Sequence, residues 1–494
     1  MARCCRAGQW EKMSFRRARE YLLDRYPLRW ITLSAVVLTS FIGTWDGAAP
    51  VVALPAIMRQ FNVGIDSAVW VLTASSLLFA VPMAIFGKLG DMFGHKRIYL
   101  VSTAAFAVFA ALAGSAPTFG WLIFFRAMQG LASAPAFTAT MALIATTFPG
   151  EERGRAMGIM SMAASVAWAG GPVLGGVLMR TFNWKAIILV EIPVTVLALL
   201  AAWWLMPEDS RTSRPQFDVV GAATLTASAL VLMFGLRLVG QLGWTATPTL
   251  AMGGAVVGLL GVFLITERRH PTPFVPLALF ANHRYSAATV FSAAQVMMVF
   301  AMMLLVPVYL QEVAGLDPAA AGLLVAGLSI ARIIFEPLAG RLAELRGARL
   351  PSLIGIGVLV AVASGFALWL SPRTPGWAVF VGMFVFGVGV SLGRTPVNAA
   401  VTHLVDPQRL GLALGVFSMI TFTGGALGQT FFGVLLRTLS GAGSAPLATA
   451  ALSDLLRAFN VSFSLIVGIA ALAGLAGVRL PGREMVKDVA PARG

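Results

Sequence analysis

The chain has 494 residues, of which 58% are hydrophobic and only 12% are charged, and its formal net charge is +15. Soluble domains carry about a quarter charged residues, so this composition excludes a water-soluble fold and predicts an all-α protein that crosses a lipid bilayer many times. The positive charge lies in short loops between apolar runs, which favours orientation signals over a nucleic-acid surface. The two cysteines, Cys4 and Cys5, lie in the basic N-terminal segment without metal-ligand spacing.

Fourteen apolar runs reach the length of about 20 residues that a helix needs to cross a bilayer. If the N-terminus is cytoplasmic, most Lys and Arg residues fall on the cytoplasmic side, as the positive-inside rule requires. An even number of spans also returns the basic C-terminal tail to that side, whereas thirteen spans would place it outside. We therefore expect a multi-pass protein of the plasma (inner) membrane with both termini in the cytoplasm. The runs are centred near Leu38, Leu78, Phe106, Ala134, Val166, Val196, Ala227, Val257, Val299, Gly327, Leu359, Gly387, Phe422 and Ile466.

Two islands of glycine and charge interrupt the apolar sequence, GKLGDMFGHKR from Gly87 and GRLAELRGARL from Gly340. When the two halves of the sequence are aligned from these islands, the similarity continues after a shift of four residues. RAMGIMSM from Arg155 then aligns with LALGVFSM from Leu412. A six-span unit is therefore predicted to occur twice, with the substrate site between the halves near the membrane midplane. The predicted domains are a basic cytoplasmic segment (1–29), an N-terminal six-helix half (30–206), a linker with two extra membrane helices (207–283), a C-terminal six-helix half (284–480) and a cytoplasmic tail (481–494).

These motifs resemble those of the major facilitator superfamily. GKLGDMFGHKR is similar to the family's loop between spans two and three, LIFFRAMQGLASA from Leu122 to its span-four motif, and AGGPVLGGV from Ala169 to its antiporter motif. WDGAAPVVALP from Trp45 resembles the span-one motif of the fourteen-span drug/proton antiporters of the EmrB/QacA type. The resemblance implies an alternating-access antiporter that exports amphipathic or cationic compounds such as drugs. The resemblance also implies that the proton gradient drives this export and that no cofactor is needed.

The chain departs from that pattern at three positions. Ala48 and Val51 stand where the family usually has Thr and Asn, and Glu191 stands where an Asn is usual. The first span is therefore less polar and the sixth gains a carboxylate. Exporters of lipids, siderophores or other metabolites remain an alternative for this reason.

Ionisable side chains within the spans are costly, at ~2.5–3.5 kcal/mol or more, and point to function. We predict that Asp46, Arg126 and Glu191, in the outer half of the membrane, form a proton-coupling site. A buried carboxyl group without a cation keeps its proton, and an approaching guanidinium favours its release. Static ion pairs that fix the helices are the alternative.

A second ionic cluster is predicted towards the cytoplasmic ends of two later spans. Arg332 and Glu336 are four residues apart on one helix face, which favours a salt bridge that gates or fixes the fold. Arg394 either joins this cluster or extends to the inner membrane surface. Arg237, in the seventh span, is assigned a structural role.

Small residues and methionines mark two further candidate regions. The family resemblance assigns Gly171, Pro172, Gly175 and Gly176 to an antiporter motif that prevents leakage, where the proline bends span five and the glycines admit another helix. Ordinary small-residue packing is the alternative. A second group consists of candidates to line the substrate cavity, although a methionine stripe also occurs on faces towards lipid or core. Its members are Met297, Met298, Met302 and Met303 in span nine, and Asn398.

The repeated islands are predicted to latch the cytoplasmic side. Gly87 and Gly94, with their counterparts Gly340 and Gly347, permit tight turns, while Lys96 and Arg97 hold the first loop in the cytoplasm. A carboxylate is favoured at a helix N-terminus. We therefore expect Asp91 at the start of span thirteen, near Leu410 and Gly411, and Glu344 at the start of span five, near Gly154, with Arg153 or Arg155 in reach.

No catalytic motif is supported. The GVSLG sequence at Gly389 resembles a nucleophile elbow but lies in an apolar span, and no P-loop or HExxH sequence occurs. We therefore predict a transporter, without a metal site, and disfavour a membrane-embedded enzyme or a receptor.

Overall fold

A computed structural model describes residues 28–63, 68, 70–206, 218–243, 245–270, 273–275, 278–316, 318–406, 409–441 and 451–482. Within these residues the regular secondary structure is helical, so the all-α prediction is confirmed there. The N-terminal segment with Cys4 and Cys5, and the tail from residue 483 onwards, lie outside the described residues.

The first six predicted spans correspond to one group of helices, some of them interrupted. They are α1 (Leu28–Ala48), a 3-10 turn (Ala49–Ala53), α2 (Leu54–Phe61), α3 (Trp70–Ala80), α4 (Met83–Phe93), α5 (His95–Gly114), α6 (Phe119–Thr147), α7 (Gly150–Thr181), α8 (Trp184–Leu189) and α9 (Glu191–Leu205).

Two helices follow, α10 (Val219–Leu242) and α11 (Thr247–Arg269). A second group of helices then contains the second copy of the repeat. After the short α12 (Ala278–Ala281), its members are α13 (His283–Glu312), α14 (Pro318–Val325), α15 (Gly327–Arg346), α16 (Arg349–Trp369), α17 (Gly376–Val401), α18 (Leu410–Leu439) and α19 (Leu452–Val478).

The described residues contain eleven segments that are long and apolar enough to span a bilayer, or thirteen with two bent helix pairs. The pair α3–α4 and the two parts of α7 each bend by 47°. Pro82 and Pro172 lie at these bends, where a missing backbone N–H interrupts the helical hydrogen bonds. Among the described residues of α10, the apolar stretch Val219–Leu232 is shorter than a full span, so the count of fourteen stays a prediction.

The two groups of helices meet at one end of the bundle, which we call the latch end and define by residues 87–95 and 340–349. There α4 packs against α18, and α7 packs against α15. A Cβ atom on Gly87 would lie 2.1 Å from the carbonyl oxygen of Gly411, and one on Gly340 would lie 2.1 Å from that of Gly154. These contacts join equivalent positions of the sequence repeat. The same close approach therefore occurs twice, and only glycine permits it.

Candidate functional site

A cavity of about 670 Å³ lies between the two groups of helices. Asp46, Arg126, Arg332 and Arg394 are the charged residues among its described lining. Phe79, Phe137 and Phe422 also line it and form an aromatic cluster, with ring centroids 5.4 to 5.9 Å apart. The cavity therefore combines an apolar wall with a few charged groups, as binding sites for amphipathic small molecules do.

Asp46 and Arg126 form a buried ion pair between Arg126 Nη1 and Asp46 Oδ1. The Ser75 hydroxyl donates to Asp46 Oδ2 at 3.2 Å. Arg126 also donates from Nη2 to the carbonyl oxygen of Asp46 at 3.2 Å. Pro50 lies four residues after Asp46 and has no N–H, so it cannot bond to that carbonyl. The proline thus explains both the 3-10 turn after α1 and the acceptor that the arginine uses.

Gln129 extends this pair to Glu191. Arg126 Nη1 donates to Gln129 Oε1 at 2.9 Å, and Gln129 Nε2 donates to Glu191 Oε2 at 2.6 Å. Glu191 is fully buried, and its Oε1 has no hydrogen-bond partner. The structure therefore brings Asp46, Arg126 and Glu191 together, in one chain of polar contacts that we call the coupling network.

Sequence reasoning missed two members of the coupling network, Gln129 and Ser75. Only ionisable groups were weighed within the spans, and an amide or hydroxyl does not stand out by charge. The signal for Gln129 was its spacing, since it lies three residues after Arg126 and therefore on the same face of α6.

The second ionic cluster forms around Glu336, which is fully buried. Arg332 binds Glu336 Oε1 through Nη2 at 2.8 Å and through Nε at 2.9 Å. Ser165, on α7 in the opposite half, donates to Glu336 Oε2 at 3.2 Å. Arg394 lines the cavity and lies within electrostatic range of Arg332 and Glu336, so it belongs to this cluster.

The proposed lining role of Met298 and Met302 is wrong. Both side chains are fully buried in the apolar core and are absent from the cavity wall, whereas Val299 and Met303 line it. A helix turns by about 100° per residue, so neighbouring methionines face different directions. The consecutive methionine pairs in α13 did not show which member faces the cavity. Asn398 does line the cavity.

The acidic residues of both islands lie at the N-terminal ends of helices in the opposite half. Asp91 accepts hydrogen bonds from the backbone N–H groups of Gly411 at 2.7 Å and Leu412 at 2.8 Å. Glu344 accepts from the backbone N–H of Arg155 at 2.7 Å. Gly411 and Leu412 lie in the first turn of α18, where free N–H groups attract a carboxylate, and this explains the placement of Asp91. Arg155 is the sixth residue of α7, so Glu344 binds the second turn of that helix. Each island therefore holds the N-terminal part of a helix in the other half.

The basic residues and the glycines of the islands have different surroundings. Lys96 donates to the carbonyl oxygen of Met206 at 2.5 Å, within the same half, and Arg97 is exposed. Gly94 and Gly347 end their helices with positive φ angles of 92° and 73°, which explains glycine at both positions.

Arg153 reaches across the latch end to a residue that sequence reasoning did not select. Its Nη1 lies 3.4 Å from the carbonyl oxygen of Thr402 and 3.4 Å from His403 Nδ1. Burial, and then the charge of Arg153, lower the pKa of His403 from 6.5 to about 4. His403 is therefore neutral near pH 7 and accepts from the guanidinium.

The lowered pKa of His403 predicts a pH-dependent stability. Between pH 6.5 and about 4 the unfolded chain binds a proton at this site that the folded chain does not, so stability falls as the pH drops through that range. We expect His403→Gln to show a smaller fall in Tm than the wild type between about pH 7 and pH 5. The exposed His283 provides the control His283→Gln, which should behave as the wild type. Equal falls in all three proteins would contradict the assignment.

The glycines of the antiporter motif have different environments. A Cβ on Gly171 would lie 3.0 Å from the Cβ of Ala48, and one on Gly175 would lie 3.3 Å from the carbonyl oxygen of Ala49. A Cβ on Gly176 would meet nothing within 4 Å, so the close-packing role assigned to it is wrong. Gly171 and Gly175 therefore pack against the chain directly after Asp46, beside the bend of α7.

The helices α10 and α11 connect to the first island through the segment after α11. Lys88 donates to the carbonyl oxygens of Pro273 at 3.2 Å and Phe274 at 3.4 Å. Glu267 accepts from the backbone N–H of Val275. The side chain of Arg237, in α10, lies outside the described residues. Residues 273–275 thus form a main-chain contact with α4 close to Asp91.

Comparisons with known proteins place the chain among transporters. The family model "Major Facilitator Superfamily" matches residues 36–429 and 288–491. The multidrug resistance protein Stp of Mycobacterium tuberculosis (strain CDC 1551 / Oshkosh) is 31% identical over 407 residues, which are 82% of this chain and 75% of Stp. The tetracenomycin C resistance and export protein of Streptomyces glaucescens is 30% identical, over 83% of this chain and 77% of that protein.

A solved structure, the proton:xylose symporter XylE, is similar in fold with a TM-score of 0.62, covering 93% of this chain and 98% of XylE at 12% identity. The fold, the family model and these relatives agree. The chain belongs to the Major Facilitator Superfamily.

Proposed function

We propose that this protein is a proton-coupled antiporter that exports amphipathic, drug-like compounds by alternating access. The observation that carries the proposal is the buried coupling network beside a cavity between the two halves. Relatives that are multidrug or antibiotic resistance proteins support the choice of substrate. The proposal includes fourteen spans, with α10 and α11 as an inserted pair, and the latch end facing the cytoplasm of a cell with the protein in its plasma membrane.

The coupling network supplies the groups that proton exchange needs. Glu191 has an unpartnered carboxyl oxygen, and Gln129 connects it to the Arg126–Asp46 pair. A proton on Glu191 or Asp46 removes a negative charge and frees Arg126 to shift, while a returning guanidinium favours proton release. Proton entry along a potential of 100 mV yields about 2.3 kcal/mol per charge, which can drive export of the substrate.

The latch would prevent the cavity from opening to both sides. In this conformation Asp91 and Glu344 each hold a helix of the opposite half. The bend of α7 beside Asp46, with Gly171 and Gly175 against the first span, provides a route by which protonation could alter that packing. The second ionic cluster contributes a further link between halves through Ser165.

A metabolite exporter is the second candidate. One relative, the riboflavin transporter RibZ of Clostridioides difficile, is 25% identical over 82% of this chain. The aromatic wall of the cavity, formed by Phe79, Phe137 and Phe422, also suits a metabolite with an apolar body, including a lipid. The same cavity and coupling network would serve either class.

The test is substrate-stimulated proton flux in proteoliposomes that contain the purified chain. A pH gradient is imposed, and release of internal protons is recorded while cationic dyes, antibiotics, riboflavin and lipids are added in turn. A compound that crosses the membrane and also dissipates the pH gradient identifies the substrate class. Transport of a compound without any proton movement would contradict the antiport mechanism.

A further inference from the structure

The charged groups that line the cavity are unequally neutralised. Both carboxylate oxygens of Asp46 are occupied, one by Arg126 and the other by Ser75. Glu191 and Glu336 are fully buried and do not belong to the described cavity wall. A cationic substrate would therefore find no free carboxylate at this surface.

Arg394 has the opposite character. It lines the cavity, and no ion pair or hydrogen bond of its guanidinium is found among the described residues. Its nearest charged neighbours are Arg332 and Glu336, and the carboxylate of Glu336 is already bound by Arg332 and Ser165. These three residues sum to one net positive charge. An unneutralised guanidinium at bilayer depth is costly, and a bound anion would offset that cost.

Uncharged polar groups accompany Arg394. Asn398 lies four residues further along α17, on the same helix face, is only 6% exposed and has no hydrogen-bond partner in the described structure. Thr140, on α6 in the other half, also lines the cavity, is 1% exposed, and its hydroxyl is unpartnered. These polar groups face the cavity, so they are available to hydrogen-bond a polar ligand there.

We propose that the transported compounds are anionic amphipaths, whose acidic group binds Arg394 with Asn398 and whose apolar body packs against Phe79, Phe137 and Phe422. This inference rests on the proposed export function and specifies its substrate class. A carboxylate, a phosphate or an enolate meets the requirement, since a guanidinium binds planar and tetrahedral oxyanions alike. Export of such an anion in exchange for a proton moves two charges in the same electrical sense, so a negative interior drives it strongly.

The test uses three dansyl compounds of similar size whose terminal groups differ in charge: dansylglycine (anionic), dansylglycinamide (neutral) and dansylethylenediamine (cationic). Binding to the purified full chain is followed by dansyl fluorescence, and transport is followed in proteoliposomes with an imposed pH gradient. We expect the wild type to bind dansylglycine about tenfold or more tightly than either analogue. Arg394→Gln should remove that preference and leave affinity for the amide within about twofold, while Arg394→Lys should retain part of it.

Arg373→Gln, which changes an exposed arginine in the loop between α16 and α17, is the matched control and should leave every value unchanged. Preference for the cation, equal binding of all three compounds, or equal loss of all three in Arg394→Gln would overturn the anionic site. Transport of the amide or the cation alone would leave the export function standing and reject the substrate class. Selective binding of dansylglycine without proton-driven transport would support the anionic site and reject the proposed proton-coupled export.

A parallel arm separates two sources of the anion. A fluorescent short-chain phosphatidic acid is compared with the corresponding phosphatidylcholine in the same vesicles. Selective movement of the phosphatidic acid, lost in Arg394→Gln, supports the anionic site with a lipid as substrate. Selective movement of dansylglycine supports it with a water-soluble compound.

Discussion

Replacement of Asp46 by Asn is expected to reduce proton-driven export by about tenfold or more, and Glu191→Gln is expected to do the same. An amide cannot exchange a proton with solvent in the transport cycle. In Asp46→Asn the buried guanidinium of Arg126 also loses its counter-charge, and breaking one partner of a buried ion pair costs about 3–5 kcal/mol. Uphill export in energised proteoliposomes measures the loss.

Substrate exchange across the membrane without a pH gradient separates coupling from a purely structural role. If the carboxylates couple transport to protons, the Glu191→Gln variant should retain exchange while uphill export fails. Ser75→Ala removes only one hydrogen bond to Asp46 and should keep export within about threefold. Undiminished uphill export in both Asp46→Asn and Glu191→Gln would contradict the coupling role. Parallel loss of exchange, export and Tm would favour static ion pairs.

Substitution of Gly340 or Gly87 by Val should prevent closure of the latch end. Each glycine lies where a Cβ would be 2.1 Å from a carbonyl oxygen of the opposite half. Both contacts are with backbone atoms, which cannot rotate away as a side chain does. Overpacking costs about 1–3 kcal/mol, enough to shift a two-state conformational equilibrium by roughly 5- to 150-fold. We expect export to fall about tenfold or more and the latch end to become accessible.

Accessibility is measured with a cysteine at Ser133, which lines the cavity, in a chain whose Cys4 and Cys5 are replaced by Ser. In inside-out vesicles, a membrane-impermeant maleimide should label this cysteine faster in the Gly340→Val chain than in the parent. Gly357→Val provides the matched control, because a Cβ at that helical glycine meets nothing within 4 Å. Unchanged labelling and export in Gly340→Val, with the same result in the control, would show that the contact does not limit closure.

The sequence predicted much of the site because its strongest signals can be interpreted without knowledge of the three-dimensional neighbours. A charge in an apolar span is costly wherever it lies, so Asp46, Arg126 and Glu191 stood out without knowledge of their neighbours. The repeat was equally informative, because it paired Asp91 with Glu344 and indicated the helix ends that each would meet. The all-helical character followed from composition and run length in the same way.

The remaining features depend on how each helix is rotated about its axis and on how helices pack. The spacing of residues along the sequence does not give this information. Whether Met302 or Met303 faces the cavity depends on a rotation of about 100°, which neighbouring helices determine. The bridging amide of Gln129 is neutral and did not differ from ordinary polar residues of a span. Lys96 was interpreted by charge alone, although its contact is a carbonyl oxygen at the end of α9.

The link from Lys88 to residues 273–275 makes the two latches mechanically unequal. Opening the first latch requires α4 to move with a segment that is tied to α11, or to break two hydrogen bonds to its carbonyl oxygens. The equivalent residue of the second island, Arg341, is exposed and carries no such segment in the described structure. The first latch, between α4 and α18, therefore carries two hydrogen bonds to a third segment of the chain, and opening it involves a part of the protein that lies outside both copies of the repeat.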